Sequence, residues 1–386
     1  VSFNTLSPNQ LLGDDTFYSG YKVGYSSADT STVGTVTIAG QQDSVSSLLV
    51  ATLRSGHETK NNAPGGPEFG SDRTAPDPQD NQSLNVTAKL NWDIAVNQRI
   101  GVGLDSFKNE TDTQILSDYG TLSRGTLVNS RTAEDERERT RVTLRYEYTD
   151  IGSPLLESLI LTAYWQDSES FQDLTESRSP PPYMADQTRK RISTFEQEIV
   201  GSTAQFSSVL LTPNTSHTLT YGFDYYETSS ESVRDGGTKD ALGNPVFEFS
   251  PLPTRDFPKT DVENIAFYIQ DEIELFDGKL LLSPGVRYDR NEATTAPDSL
   301  YLDGNPGVAM PIDYDESEVS LKFGALVQIT DSWSAFGRYS EGFRAPPFDD
   351  VNLGFTNYLG GYKTISAPDL TSETSEGVEV GLRFLS

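Results

Sequence analysis

The chain of 386 residues contains no cysteine, so it forms no disulfide and offers no thiolate to a metal. Histidine occurs only twice, at His57 and His217, too sparsely for a His-rich zinc centre. Basic residues are also scarce. Lys and Arg number 29 against 57 Asp and Glu, for a formal net charge of −28, which argues against nucleic acid as a partner. No run of eighteen apolar residues occurs, which excludes a membrane-spanning helix. The Gly-x-Ser-x-Gly elbow is absent, and Gly101-Val102-Gly103 lies inside a strand pattern rather than at a strand-to-helix turn, so it is no dinucleotide fingerprint. Carboxylates cluster at Asp14-Asp15, Asp313/Asp315/Glu316 and Asp349-Asp350, without the partner spacing of a calcium loop. The sequence therefore singles out no catalytic residue and no metal site.

What the chain does have is alternation. From Ile265 the odd positions read Ile265, Phe267, Ile269, Asp271, Ile273 and Leu275, and the even ones Ala266, Tyr268, Gln270, Glu272 and Glu274. A period of two marks a strand with one apolar face. Asp277-Gly278 then turns the chain, and Leu280, Leu282, Val286 and Tyr288 alternate with Ser283, Gly285, Arg287 and Asp289. The result is a hairpin of two strands of about ten residues, longer than the usual five or six. That length suits a wall with lipid on one side and a wet lumen on the other. Asp271 breaks the apolar face and is expected near the membrane edge, and Pro284 is expected at a bulge or a sheet edge.

The same cycle repeats along the chain. Phe17–Ser26, Val33–Ala39 and Ser44–Gly56 read as strands, followed by a long loop from His57 to Asn81. Further long polar loops are expected at Asn109–Glu138, Ser170–Lys190, Ser230–Asp261, Asn291–Glu316 and Glu341–Thr374, each facing away from a short turn. About fourteen strands result, and short turns on one side with long loops on the other are the habit of bacterial barrels. The expected fold is all-β, an antiparallel transmembrane β-barrel. The start at Val1 and the end just after a strand pattern read as those of an internal fragment. The run Glu134-Asp135-Glu136-Arg137-Glu138-Arg139-Thr140-Arg141 reads as a rim salt-bridge network, with calcium or lipopolysaccharide contact as the alternative.

Ser340-Glu341-Gly342-Phe343-Arg344-Ala345-Pro346 resembles TonB-dependent outer-membrane receptors, particularly the haem/haemoglobin receptor branch. There a Phe-Arg-Ala-Pro box opens an extracellular loop and an Asn-Pro-Asn-Leu-like box closes it. Phe343, Arg344, Ala345 and Pro346 complete the first box, and Ala367-Pro368-Asp369-Leu370 resembles the second. Tyr268-Ile269-Gln270-Asp271-Glu272 and Pro284-Gly285-Val286-Arg287-Tyr288-Asp289 are similar to the same family. Val1–Thr5 resembles the last strand of its plug, which would make residues 1–16 the end of a plug with its linker and 17–386 an incomplete barrel. Family barrels have about 22 strands and a plugged lumen.

The resemblance implies active uptake of iron as haem, a haem protein or another iron chelate. It implies transport energy from the TonB–ExbB–ExbD system acting on the plug, contact with outer-membrane lipid and lipopolysaccharide, and no permanently bound cofactor, haem or a ferric chelate being cargo. Haem receptors of this branch carry a haem-ligating His between the boxes, and this sequence has none between Phe343 and Leu370. Tyr358 and Tyr362 stand there instead, and a Tyr phenolate can ligate ferric haem. Phe343, Arg344, Ala345, Pro346, Tyr358, Tyr362, Pro368, Asp369, Leu370 and His57 are thus the ligand-binding candidates. The missing His favours a ferric-siderophore or other nutrient receptor of the same superfamily as the alternative. A passive porin or adhesin-like barrel is the reading from a different class.

Overall fold

The computed structural model describes residues 5–62, 66–123, 125–153, 155–181, 185–249, 251–357 and 361–385. A short helix, α1 (Pro8–Leu12), precedes β1 (Phe17–Ser26), β2 (Ser31–Gln42), β3 (Val45–His57), β4 (Gln79–Ala95) and β5 (Gln98–Gln114). After the two-residue β6 (Leu122–Ser123) come β7 (Thr126–Thr149), β8 (Ser158–Ser179), β9 (Gln187–Leu211) and β10 (Thr215–Asp240). Then follow β11 (Lys259–Leu275), β12 (Leu280–Ala296), α2 (Ser299–Gly304), β13 (Tyr314–Gln328) and β14 (Trp333–Arg344). The chain closes with α3 (Phe348–Asn352), the short pair β15 (Phe355–Asn357) and β16 (Tyr362–Thr364), and β17 (Glu373–Phe384). Apart from β15, β16 and the small β6, every strand stands beside its sequence neighbour in one antiparallel sheet running from β1 to β17.

The pairing register carries the alternation across the whole wall. Leu90, Val102 and Leu144 stand in one row, and Phe223, Phe267 and Tyr288 in another. These side chains are exposed, as the lipid-facing side of a barrel wall requires. The opposite face carries polar rows such as Gln205, Gly222 and Tyr268. Helix α1 lies on this second face. Leu12 packs there with Ala39 and Leu48, and Lys89 donates to the Thr5 carbonyl at 3.0 Å. The polar face is therefore the inner one.

Long loops turned out shorter than the sequence suggests, and the strands correspondingly longer. Most of Asn109–Glu138 belongs to β5 and β7, and β8 to β10 likewise run on through regions expected as loops. The reason is solvent. Beyond the membrane both faces of a strand are wet, so apolar alternation stops while the hydrogen-bonded ladder continues. At ~3.3 Å per residue, β10 covers roughly 85 Å of extended chain, whereas the apolar band of such a barrel is about 25 Å tall. The upper halves of β7 to β10 thus form a wall standing clear of the membrane on the long-loop side.

The short-turn side behaves as expected. The central hairpin turns through residues 276–279, between the paired Leu275 and Leu280, with Asp277 at φ 59° and Gly278 at φ 80°, the left-handed region that glycine accepts freely. Pro284 sits at neither bulge nor edge. β12 is internal, and its ladder to β11 is interrupted between Gly285 and Leu282 without a change of register, because proline has no N–H to donate.

Candidate functional site

Strand alternation resolves the mixed-charge run of β7 into two surfaces. Arg137 pairs across the ladder with Asn109 and Ser170, and Arg139 with Phe107 and Ser168. Both stand in inner-face rows. Glu134, Glu136 and Glu138 occupy the alternate, outer positions. The expected rim network exists, but only through the acids: Lys108 Nζ lies 2.9 Å from Glu110, 2.5 Å from Glu136 and 2.7 Å from Glu138. In a chain of net charge −28, the upper inner wall is rich in arginine.

The same sorting holds above that level. Arg131 and Arg178 flank Glu176, with N–O distances of 3.9 and 3.8 Å, and Arg191 is ion-paired to Glu248. The Nε of Arg189 is buried with no hydrogen-bond partner among the described residues. Burial, then the charges of Arg191 and Arg178, pull the Arg189 guanidinium below its ordinary value, because burial and like charges both disfavour the cation.

The loops fold over this wall through an aromatic ladder. Phe195 of β9 meets Phe257 edge-on at 6.2 Å between ring centroids, and Phe257 meets Phe348 of α3 at 5.4 Å. Tyr301 of α2 is buried and donates to the Asn352 carbonyl at 3.2 Å. Asn352 in turn holds both the N–H and the carbonyl of Ile312 at 2.9 Å. Three loops thereby share one small core above the wall.

The two sequence boxes flank the loop that joins β14 to β17, and the strands pair just at its base. Arg344, the last residue of β14, is in register with Glu373, the first of β17, and their side chains approach to 3.6 Å. Phe343 occupies the neighbouring outer-face position and Arg344 an inner-face one. Pro346 is buried, and its carbonyl accepts from the Tyr314 hydroxyl at 2.7 Å. Burial, then the nearby Asp349 and Glu316, push the Tyr314 phenol up to about 12, so it remains a donor at neutral pH. Ala345 is half-buried beside it. Pro368, Asp369 and Leu370 are exposed in a turn where the Leu370 N–H reaches the Ala367 carbonyl at 3.1 Å.

Tyr362 is exposed, its ring 6.0 Å from that of Phe355. Tyr358 lies outside the described residues. His57 stands apart from the rest. It ends β3 at an outer-face position, 3.0 Å from Asp80, and makes no hydrogen bond or ion pair with either box among the described residues. Among the described residues no cluster of His, Asp and Glu is arranged to hold a metal ion. Sequence reasoning missed the inner-facing Arg137 and Arg139. The signal was present, since the arginines of the run recur at every second residue.

Comparison with known proteins agrees with this architecture. A hemin receptor of Yersinia enterocolitica is 25% identical over 328 residues, covering 80% of this chain and 39% of the relative. Hemoglobin-haptoglobin utilization protein B of Neisseria meningitidis is 22% identical, covering 99% of this chain and 51% of the relative. This chain therefore spans about half or less of the relatives it matches. Among solved structures, the Serratia marcescens hemophore receptor HasR, in complex with its hemophore HasA and heme, superposes with a TM-score of 0.70 at 16% identity, over 98% of this chain and 53% of that one. BauA, the ferric preacinetobactin receptor of Acinetobacter baumannii, does so at 0.54 and 15%, over 95% and 51%. The family model described as TonB dependent receptor-like, beta-barrel, matches residues 91–386. With more than half its length in that match, this outer-membrane β-wall belongs to the TonB-dependent receptor family.

Proposed function

We propose that the chain is the barrel wall of a receptor that takes up iron as haem, a haem protein or another iron chelate. The observation that carries this reading is a box-flanked loop, closed at its base by Arg344 and Glu373, that folds over an arginine-rich, aromatic inner wall. A surface of that kind attracts an anionic aromatic cargo in spite of the overall negative charge. The haemin and haemoglobin–haptoglobin relatives support the same cargo class. Residues 1–16 serve as the end of a plug and its linker, a reading supported by the packing of Leu12 on the inner face, while Val1–Asn4 of the expected plug strand lie outside the described residues. Transport energy would enter through that plug from the TonB–ExbB–ExbD system.

The test is a titration of full-length receptor with haemin, following the Soret band. A saturable shift that weakens in Tyr362→Phe or Tyr358→Phe supports haem capture with a phenolate in place of the missing His. A second reading, ferric-siderophore uptake, is favoured by the absence of His between Phe343 and Leu370. Tryptophan quenching by a ferric chelate, with no Soret change on haemin, would select it.

A further inference from the structure

Between β5 and β9 the upper inner wall contains a hollow of about 500 Å³, within the size range of small-molecule sites. Its cause lies in the register. Phe107 stands opposite Arg139, which stands opposite Ser168. One row higher, Arg137 stands opposite Ser170, which stands opposite Phe195. Two serines on β8 thus sit between larger neighbours on both sides, and their short side chains leave the space open. Directly opposed residues in an antiparallel pair have Cβ atoms about 5 Å apart, so the arginines and phenylalanines border the same hollow.

Its chemistry is specific. Neither Arg137 nor Arg139 makes an ion pair or a side-chain hydrogen bond among the described residues, whereas Arg131, Arg178 and Arg191 are engaged. The neighbouring Glu138 points its carboxylate to Lys108 on the other face, and Glu169 also occupies an outer-face position. The two guanidiniums are therefore not neutralised from within the hollow. Phe195 is held by Phe257, and through it by Phe348 beyond the Phe343–Pro346 box, so one border of the hollow is linked through Phe257 to the loop that bears the boxes.

We infer that this hollow is a subsite for a flat aromatic anion, with Arg137 and Arg139 binding its carboxylate or phenolate oxygens while Phe107 and Phe195 border its rings. Guanidinium groups suit this role because their donors form a planar fork that matches such oxygens. The inference rests on the iron-uptake reading but is separable from it. A haem would use its two carboxylates here, and a ferric catecholate its phenolate oxygens.

Full-length receptor in detergent would be titrated with haemin, with haemin dimethyl ester, whose carboxylates are blocked, and with a ferric catecholate complex. The variants are Arg137→Gln/Arg139→Gln and, as a control on the outer face, Glu136→Gln. Heat-dependent gel mobility verifies that each barrel is folded. Loss of two charge-assisted contacts is expected to weaken haemin binding about ten- to hundredfold in the double variant. The ester should bind wild type and double variant alike, and the control should match wild type. If haemin gives no Soret shift with wild type but the catecholate binds and depends on the two arginines, the subsite stands and the haem reading falls. A double variant that binds every probe within about twofold of wild type, or a wild type that binds none of them, overturns the subsite.

Discussion

His217 Nδ1 lies 2.7 Å from Asp271 Oδ2 on the outer face of the wall, joining the second histidine of the chain to the one carboxylate that interrupts the apolar face of the central hairpin. His217 is the third residue of β10 and Asp271 the fifth from the end of β11, so the pair sits toward the short-turn rim. There a charge costs less than at the bilayer midplane, where Arg or Lys costs about 2–4 kcal/mol and Asp or Glu less. Asp271 is also where the β11–β12 ladder is interrupted by Pro284, and its Oδ1 has no partner among the described residues. His217→Ala leaves the carboxylate unsatisfied and should destabilise the barrel by about 1–3 kcal/mol. Urea unfolding in detergent measures this. Adding Asp271→Leu should recover most of the loss, because the new side chain continues the apolar row.

The turn at residues 27–30 depends on a carboxylate. Asp29 accepts from the Ser31 hydroxyl at 2.8 Å and from its N–H at 3.3 Å, and pairs with Arg54. Hydrogen bonds from Ser26 and Ser31, with Arg54 adding to them, hold its carboxyl well below the usual carboxylate range. A depressed folded value means that the stabilisation is present above the unfolded value, near 4, and is lost as pH falls toward the folded one. Thermal midpoints should therefore decline between neutral and acidic pH, and Asp29→Asn should flatten that part of the profile. An unchanged profile in the variant would count against this assignment.

Gly222 has no room for a side chain. A Cβ there would lie 2.1 Å from the Ala204 carbonyl oxygen and 2.8 Å from the Tyr268 hydroxyl. The tyrosine tip could swing away, but the backbone oxygen belongs to the neighbouring strand and cannot. Gly222→Ala is expected to cost about 1–3 kcal/mol, visible as a lower urea midpoint. Gly34→Ala, with nothing within 4 Å of its Cβ, should be far milder.

Phe257 joins β9 to α3 through two edge-on contacts and is 8% exposed. Phe257→Ala should cost about 3–5 kcal/mol of local stability and loosen the segment that follows β10 without opening the wall. Limited proteolysis should then cut within residues 241–258 faster than in wild type, while heat-dependent gel mobility stays that of a folded barrel.

The period-two pattern, the turn residues and the alternation of short and long connections were enough to specify an antiparallel barrel wall in sequence order. The reason is that inside a membrane one face of each strand must be apolar, and that demand writes itself into every second residue from Ile265 to Leu275 except Asp271 near the rim. Where the demand ends, so does the legibility. Residues 109–114 and 126–138 read as loop because both their faces are wet, yet the backbone ladder holds them as strand. The tertiary structure alone decided which way their side chains point. It turned Arg137 and Arg139 inward and Glu136 and Glu138 outward, set His57 on the outer face against Asp80, and brought Phe195, Phe257 and Phe348 together edge-on from three distant segments. Register and loop packing are long-range properties, fixed by which strands lie side by side.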